Sequence, residues 1–191
     1  MASTAKTLTF VIPAYNMESY LDRCVNSLLS ASDISDLEVL IVDDGSKDGT
    51  LEYARKLERT NPGAVRAIHQ ENKGHGGAVN TGIAAATGMY VKVVDADDWV
   101  DPQAIDTVLA TLRAQHDTDE PIDMLVTNYV YDKVAKRHKT VVNFRRVMGA
   151  GLSLSAWTIR KLPGLFTPTR NIVKLRSSCP ATPVFTAERR N

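Results

Sequence analysis

Hydrophobic positions along the chain alternate between short unbroken runs and stretches of helical spacing. Leu8-Thr9-Phe10-Val11-Ile12 is rich in apolar residues, does not alternate, and is stopped by Pro13. That pattern predicts a strand buried on both faces. Tyr20, Leu21, Cys24, Val25, Leu28 and Leu29 recur at helical spacing and predict an amphipathic helix from near Met17 to near Ser30. Leu37 to Val42 is a second buried run. Ser46 or Asp48 is placed to cap a following helix that carries Leu51, Ala54 and Leu57, and Asn61-Pro62-Gly63 breaks it. Val65 to His69 predicts a short strand, Gly74-His75-Gly76-Gly77 a loop, and Ala78 to Ala86 a helix closed by Gly88. Tyr90 to Val94 predicts a fourth strand, and Pro102 opens a helix bearing Ile105, Val108, Leu109 and Leu112.

Strand followed by helix, four times over, predicts an α/β fold: a mostly parallel sheet with helices on both faces. Residues 121–147 differ. Met124 to Tyr131 and Thr140 to Phe144 read as two strands around the basic turn Lys133 to Lys139. From Gly149 the patterning fades; Pro163, Pro168, Pro180 and Pro183 interrupt it, and only Leu152 to Leu162 suits a short helix. The expected division is a sheet domain over 1–148 and an irregular, loop-rich basic tail over 149–191. The tail reads either as an extension or as a segment foreign to the fold, of the kind a truncation or frameshift leaves.

Composition narrows the classes. With 43% hydrophobic and 24% charged residues over 191 positions, the chain is an ordinary globular protein, which excludes wholesale disorder, collagen and coiled coil. A net charge of +1 argues against a generally basic nucleic-acid binder. The charge is uneven: residues 1–148 hold 16 Lys+Arg against 21 Asp+Glu, a net −5, and residues 149–191 hold 7 against one acid, a net +6. The basic tail has few interleaved aromatics (Trp157, Phe166, Phe185), so no nucleic acid is expected as a partner. Cys24 and Cys179 make no disulfide framework, and a reduced, cytoplasmic setting is expected. Leu8 to Pro13 is too short for a signal peptide or a membrane span. Any work at a membrane is expected from its inner face, by peripheral contact. The four basic residues in Lys133 to Lys139 read as a solvated turn or as a contact with anionic lipid or acceptor.

In an open parallel sheet, ligands bind at the carboxyl ends of the strands. Three predicted strand ends carry Pro13-Ala14-Tyr15-Asn16, Asp43-Asp44-Gly45-Ser46 and Asp95-Ala96-Asp97-Asp98. Five carboxylates facing one crevice repel, and a divalent cation relieves that repulsion. Hard oxygen ligands suit Mg2+ or Mn2+ shared with a diphosphate. Each element also has a plainer reading. Asp43 to Ser46 suits a turn with a helix cap, Asp97 and Asp98 suit caps for the helix after Pro102, and Tyr15 suits a core aromatic. The Gly-rich Asn72 to Gly82 stretch opens a helix, where phosphate can be cradled. Gly74 and Gly76 fit the dinucleotide fingerprint, but its third position is Val79. His69, His75 and His116 stand singly, and no His/Cys cluster has zinc spacing.

Taken together, Ile12 to Asn16, Val42 to Ser46, Asn72-Lys73-Gly74 with Ala78 to Gly82, and Val94 to Asp98 resemble a family 2 glycosyltransferase of GT-A fold over roughly residues 7–147. The resemblance implies sugar transfer, with inversion, from a nucleotide-diphosphate sugar, with uridine favoured, to a saccharide or lipid-linked acceptor in polysaccharide or glycolipid synthesis. It implies that Pro13, Tyr15 and Asp44 lie against base and ribose, with Asp43 beside them, Asn16 in the same motif and Glu18 supporting it. Asp95-Ala96-Asp97 is then the DxD-like element, with Asp95 on the ribose and Asp97 or Asp98 on the metal. Many family members carry Arg where Val79 stands, leaving Lys73 and His75 to meet the diphosphate. The family's general base is an acid well downstream. After Asp132 the only acid is Glu188, outside any Glu-Asp motif, and no Gln-x-x-Arg-Trp motif occurs. The chain therefore reads as a donor-binding half without a recognisable acceptor half. The alternative is a catalytically inactive nucleotide-binding fragment.

Overall fold

A computed structural model describes residues 6–116, 118, 121–131, 140–142 and 171–174; of 129, 131, 140–142, 171, 173 and 174 it describes the backbone alone. The elements are β1 (Leu8–Ala14), α1 (Glu18–Leu28), β2 (Leu37–Asp43), α2 (Thr50–Thr60), β3 (Val65–His69), α3 (Gly74–Ala85), β4 (Tyr90–Val93), α4 (Pro102–Arg113), β5 (Met124–Val126), β6 (Tyr129–Tyr131), β7 (Thr140–Val142) and β8 (Asn171–Lys174). The main sheet has the order β3-β2-β1-β4-β8-β5, and β6 pairs with β7 separately. β3, β2, β1 and β4 are parallel; β8 runs antiparallel between β4 and β5.

Every residue of β1 and β2 is buried, as unalternating runs require. Leu8, Phe10 and Ile12 pair with Leu37, Val39 and Ile41 and point to the face covered by α1, α2 and α4. Val11, Leu40, Val42, Val91 and Val93 point to the other face, against Ala78 and Val79 of α3. The helix α3 is built from small residues because it lies close: a Cβ added at Gly82 would overlap the Val11 side chain. Buried Glu38 is fully engaged, accepting from Thr9 Oγ1, Thr87 N, Thr87 Oγ1 and Arg66.

Several boundaries differ from expectation. Pro13 does not stop β1 but lies within it, opposite Val42. Val11 gives its carbonyl to Val94 N and Ala14 gives its carbonyl to Asp44 N, so alternate residues face β4 and β2. Pro13, two on from Val11, faces the side where β4 has already ended, and its missing N–H costs no ladder bond. Gly74 to Gly77 is not a loop but the first turn of α3. Gly74 makes the entry with φ 75°, its N–H donating to Asn72 Oδ1. The predicted strand Met124 to Tyr131 is divided at Thr127-Asn128 between two sheets. Within the stretch expected to be irregular, Asn171–Lys174 forms a sheet strand, with Ile172 buried in the main core.

The chain travels from β1 outward to β3, then crosses back over β1 to β4. This reversal puts α1 and α2 on one face and α3 on the other. It also opens a crevice at the carboxyl ends of β1 and β4, the topological switch point.

Candidate active site

The β2 end is buried and closely bonded. Asp43 is 1% exposed and Asp44 2%. Asp43 Oδ2 meets His69 Nδ1 at 2.7 Å, and its Oδ1 accepts from Ser46 N. Asp44 Oδ1 accepts from Gln70 Nε2 at 2.6 Å and from Lys73 N at 2.9 Å. Gln70 is held in turn by Thr81 Oγ1, which donates to its Oε1. Two donors thus fix one oxygen of Asp44, and among the described residues its second oxygen takes none. Lys73 contributes its backbone N–H; its side chain is exposed.

Beside this pair, Pro13 is buried one residue before the end of β1, and Tyr15, just past that end, is 41% exposed. Asn16 takes a left-handed φ of 54°. It is held there by its side chain, which accepts from Lys47 N, and by its own N–H, which donates to Ser46 Oγ. The Glu18 carboxylate accepts from Gly49 N at 3.1 Å and so supports the β2–α2 loop. Neither Ser46 nor Asp48 caps α2: its N-cap is Gly49, without a side-chain cap bond, and Asp48, one residue earlier, accepts from Thr50 N.

The β4 end carries the remaining acids. Asp95, Asp97 and Asp98 form a tight turn closed by Asp98 N donating to Asp95 O. Neither Asp97 nor Asp98 caps α4; Asp101 does, accepting from Gln103 N and Ala104 N. The capping alternative for those two acids is therefore removed. His75, in the first turn of α3, meets Asp95 Oδ1 through Nε2 at 2.9 Å. This bond raises the His75 pKa above the ordinary imidazole value.

Charge is crowded at this end. Burial first, then Asp97 and Asp95, push the Asp98 carboxyl above the usual carboxylate range, with Lys92 pulling the other way. Lys92 on β4 is lowered to about 8 by burial, against the opposing pull of Asp98 and Asp95. Cys24 is raised to about 12 by burial and then by the same three acids, so it stays a thiol. Among the described residues no three His, Cys, Asp or Glu side chains are gathered to hold a metal ion. The donor set nevertheless fits Mg2+ or Mn2+. Asp97 and Asp98 are exposed oxygen donors whose mutual repulsion a cation would relieve, and such ions usually complete their shell with water and phosphate oxygens.

Pro13, Tyr15, Asn16, Asp43, Asp44, Lys73, Asp95, Asp97 and Asp98 all lie at the carboxyl edge of the sheet. Glu188, Cys179, the turn Lys133 to Lys139, and Trp157, Phe166 and Phe185 lie outside the described residues. From the sequence, Gln70 and Thr81 carry no role and His69 reads only as a single histidine. His69 ends β3 and Gln70 follows it, so the rule that selected the other strand ends also points to them.

The mostly parallel sheet, with helices on both faces, matches the fold of GT-A glycosyltransferases. A family model for glycosyl transferase family 2 matches residues 9–163, and the chain belongs to that family. It is 42% identical over 106 residues to a chondroitin synthase of Escherichia coli, covering 56% of this chain and 15% of that protein. Over 102 residues it is 41% identical to a hyaluronan synthase of Pasteurella multocida, covering 53% and 10%. Among solved structures, Staphylococcus aureus TarS 1-349 in complex with UDP-GlcNAc superposes with a TM-score of 0.54 at 28% identity, covering 63% of this chain and 33% of that one. The mannosyltransferase PcManGT of Pyrobaculum calidifontis, in complex with GDP-Man and Mn2+, gives 0.53 at 26% identity, covering 64% and 35%. The chain spans about a third or less of the length of each of these proteins. Among the described residues no helix is long and apolar enough to cross a membrane.

Proposed function

We propose that this chain binds a nucleotide-diphosphate sugar, most simply a UDP-sugar, and transfers the sugar with inversion to a saccharide or lipid-linked acceptor in polysaccharide synthesis. The observation that carries the reading is the meeting of a buried, hydrogen-bonded acid pair at β2 with a crowded acidic turn at β4, across one switch-point crevice. Neighbours solved with UDP-GlcNAc and with GDP-Man and Mn2+ support it.

In this reading Asp44, with one oxygen fixed, offers the other to the nucleobase, and exposed Tyr15 stacks beside it. Asp43 keeps the β2 end in shape through His69 and Ser46. Asp95 takes the ribose, held in orientation by His75. Asp97 and Asp98 hold the Mg2+ or Mn2+, which when bound offsets charge on the departing diphosphate. His75 and the Lys73 side chain meet the diphosphate in place of the arginine absent at Val79. Deprotonation of the acceptor requires a general base. Glu188, the only acid after Asp132, or an acid from another chain, takes that role. The setting is the cytoplasm, with peripheral contact at the inner face of the membrane.

The scarcity of downstream acids favours a second reading, a nucleotide-binding piece without turnover. Incubation with UDP-sugars, Mn2+ and saccharide acceptors, followed by measurement of released UDP, separates the two. Release that Asp97→Ala abolishes supports transfer. Donor binding with no such release leaves the inactive reading standing and rejects the first.

A further inference from the structure

The acidic turn and the nucleobase end are both tied to one helix. At its start, α1 is fastened to the β2–α2 loop: Met17 N donates to Thr50 Oγ1, Glu18 accepts from Gly49 N, and Asp22 accepts from Tyr53 on α2. Farther along, α1 is fastened to the acidic turn. Cys24 Sγ lies 3.8 Å from the Asp95 carbonyl, and Val100 N donates to Ser27 Oγ at 3.1 Å. Between these, the Arg23 guanidinium lies over the Trp99 indole, its Cζ 3.3 Å from the ring centroid. Among the described residues Arg23 forms no ion pair. Trp99 directly follows Asp98 in the chain and is still 39% exposed.

We infer that the Arg23–Trp99 stack is a positioning contact that clamps the metal-binding turn to α1 and fixes its offset from the nucleobase end. The inference rests on the donor reading above. Asp97 and Asp98 sit in a short exposed segment between two backbone attachments, at Asp95 and Val100. Beyond its closing bond from Asp98 N to Asp95 O, the turn is held at its ends, which leaves its two carboxylates several placements. A stacked guanidinium on the adjoining residue removes most of them, and a cation–π contact is strong enough to do so. Neither Arg23 nor Trp99 is among the groups that hold Asp44, so the stack acts on the metal and diphosphate and leaves base binding alone.

The test compares two affinities by calorimetry: UMP in EDTA, which reports the base and ribose, and the gain in UDP affinity when Mn2+ is added. The wild-type chain should show such a gain. Trp99→Ala and Arg23→Ala should each lose about fivefold or more of it, with UMP binding within about twofold of wild type. Trp99→Phe, which keeps an aromatic face, should retain most of the gain. Arg23 is exposed, so Arg23→Ala keeps the test open if Trp99→Ala does not fold. An undiminished Mn2+ gain in both alanine variants, or UMP affinity falling in step with UDP, overturns the inference and leaves the donor reading intact. No Mn2+-dependent UDP binding by the wild type overturns the donor reading, and the inference with it.

Discussion

Gln70 Nε2 donates to Asp44 Oδ1 at 2.6 Å while Gln70 Oε1 accepts from Thr81, so one side chain joins the β2 end to α3. Gln70 is 9% exposed and Asp44 2%, which makes this a buried hydrogen bond to a charged group. Such bonds contribute about 1.5–3 kcal/mol. Gln70→Leu should lower unfolding free energy by that order and weaken nucleotide binding about tenfold or more. Urea unfolding and a UDP titration check both; unchanged values in both would show that Asp44 needs no such support.

The helix α3 lies against β1 with no room for a side chain at Gly82. Gly82→Ala should destabilise by about 1–3 kcal/mol, as overpacking does. Val11→Ala in the same chain should restore part of the loss, since Val11 is the group displaced. A double-mutant cycle in urea measures the coupling; strict additivity would refute the contact.

His75 has its pKa raised by the bond to Asp95, so it remains protonated at a pH where a free imidazole has lost its charge. Its contribution to stability is complete below the unfolded value near 6.5 and is lost as pH rises through the higher folded value. Imidazole titration by NMR should show the elevated midpoint, and Asp95→Asn should return it toward 6.5.

At the opposite end of the sheet, hydrogen bonds from Arg113 lower the Asp36 carboxyl from 3.8 to about 2. A depressed acid stabilises the fold above its unfolded pKa and loses that contribution as pH falls through the folded one. Acid unfolding of the wild type should therefore gain slope between about pH 4 and 2 from this pair. Asp36→Asn should flatten that part of the curve and lower stability at pH 7.

The parallel sheet was legible because the runs Leu8 to Ile12 and Leu37 to Val42 are buried on both faces and leave no other arrangement. The acids at two strand ends were legible for the same reason, since parallel strands place their carboxyl ends together. What pattern reading missed has identifiable causes. Pro13 suggested a strand end because its tolerance depends on where β4 stops, which only the sheet shows. Gly74 to Gly77 suggested a loop because glycine propensity is weak in helices, yet the stretch is the first turn of α3, entered at Gly74 with φ 75°. Asn171–Lys174 is too short to stand out among prolines, yet pairing on both sides makes it a strand. The Arg23–Trp99 stack joins residues far apart in the chain, and no local spacing announces it.

The central claim is that the acids at the β2 and β4 ends form one site for a metal-bound nucleoside diphosphate. Calorimetric titration of UDP-sugars into the wild-type chain and into Asp97→Ala, with Mn2+ and then with EDTA, tests it most directly. The account predicts saturable binding by the wild type that weakens at least tenfold in EDTA, and in Asp97→Ala no difference between the two conditions. Binding that is indifferent to Mn2+ in the wild type, or no binding at all, would contradict it.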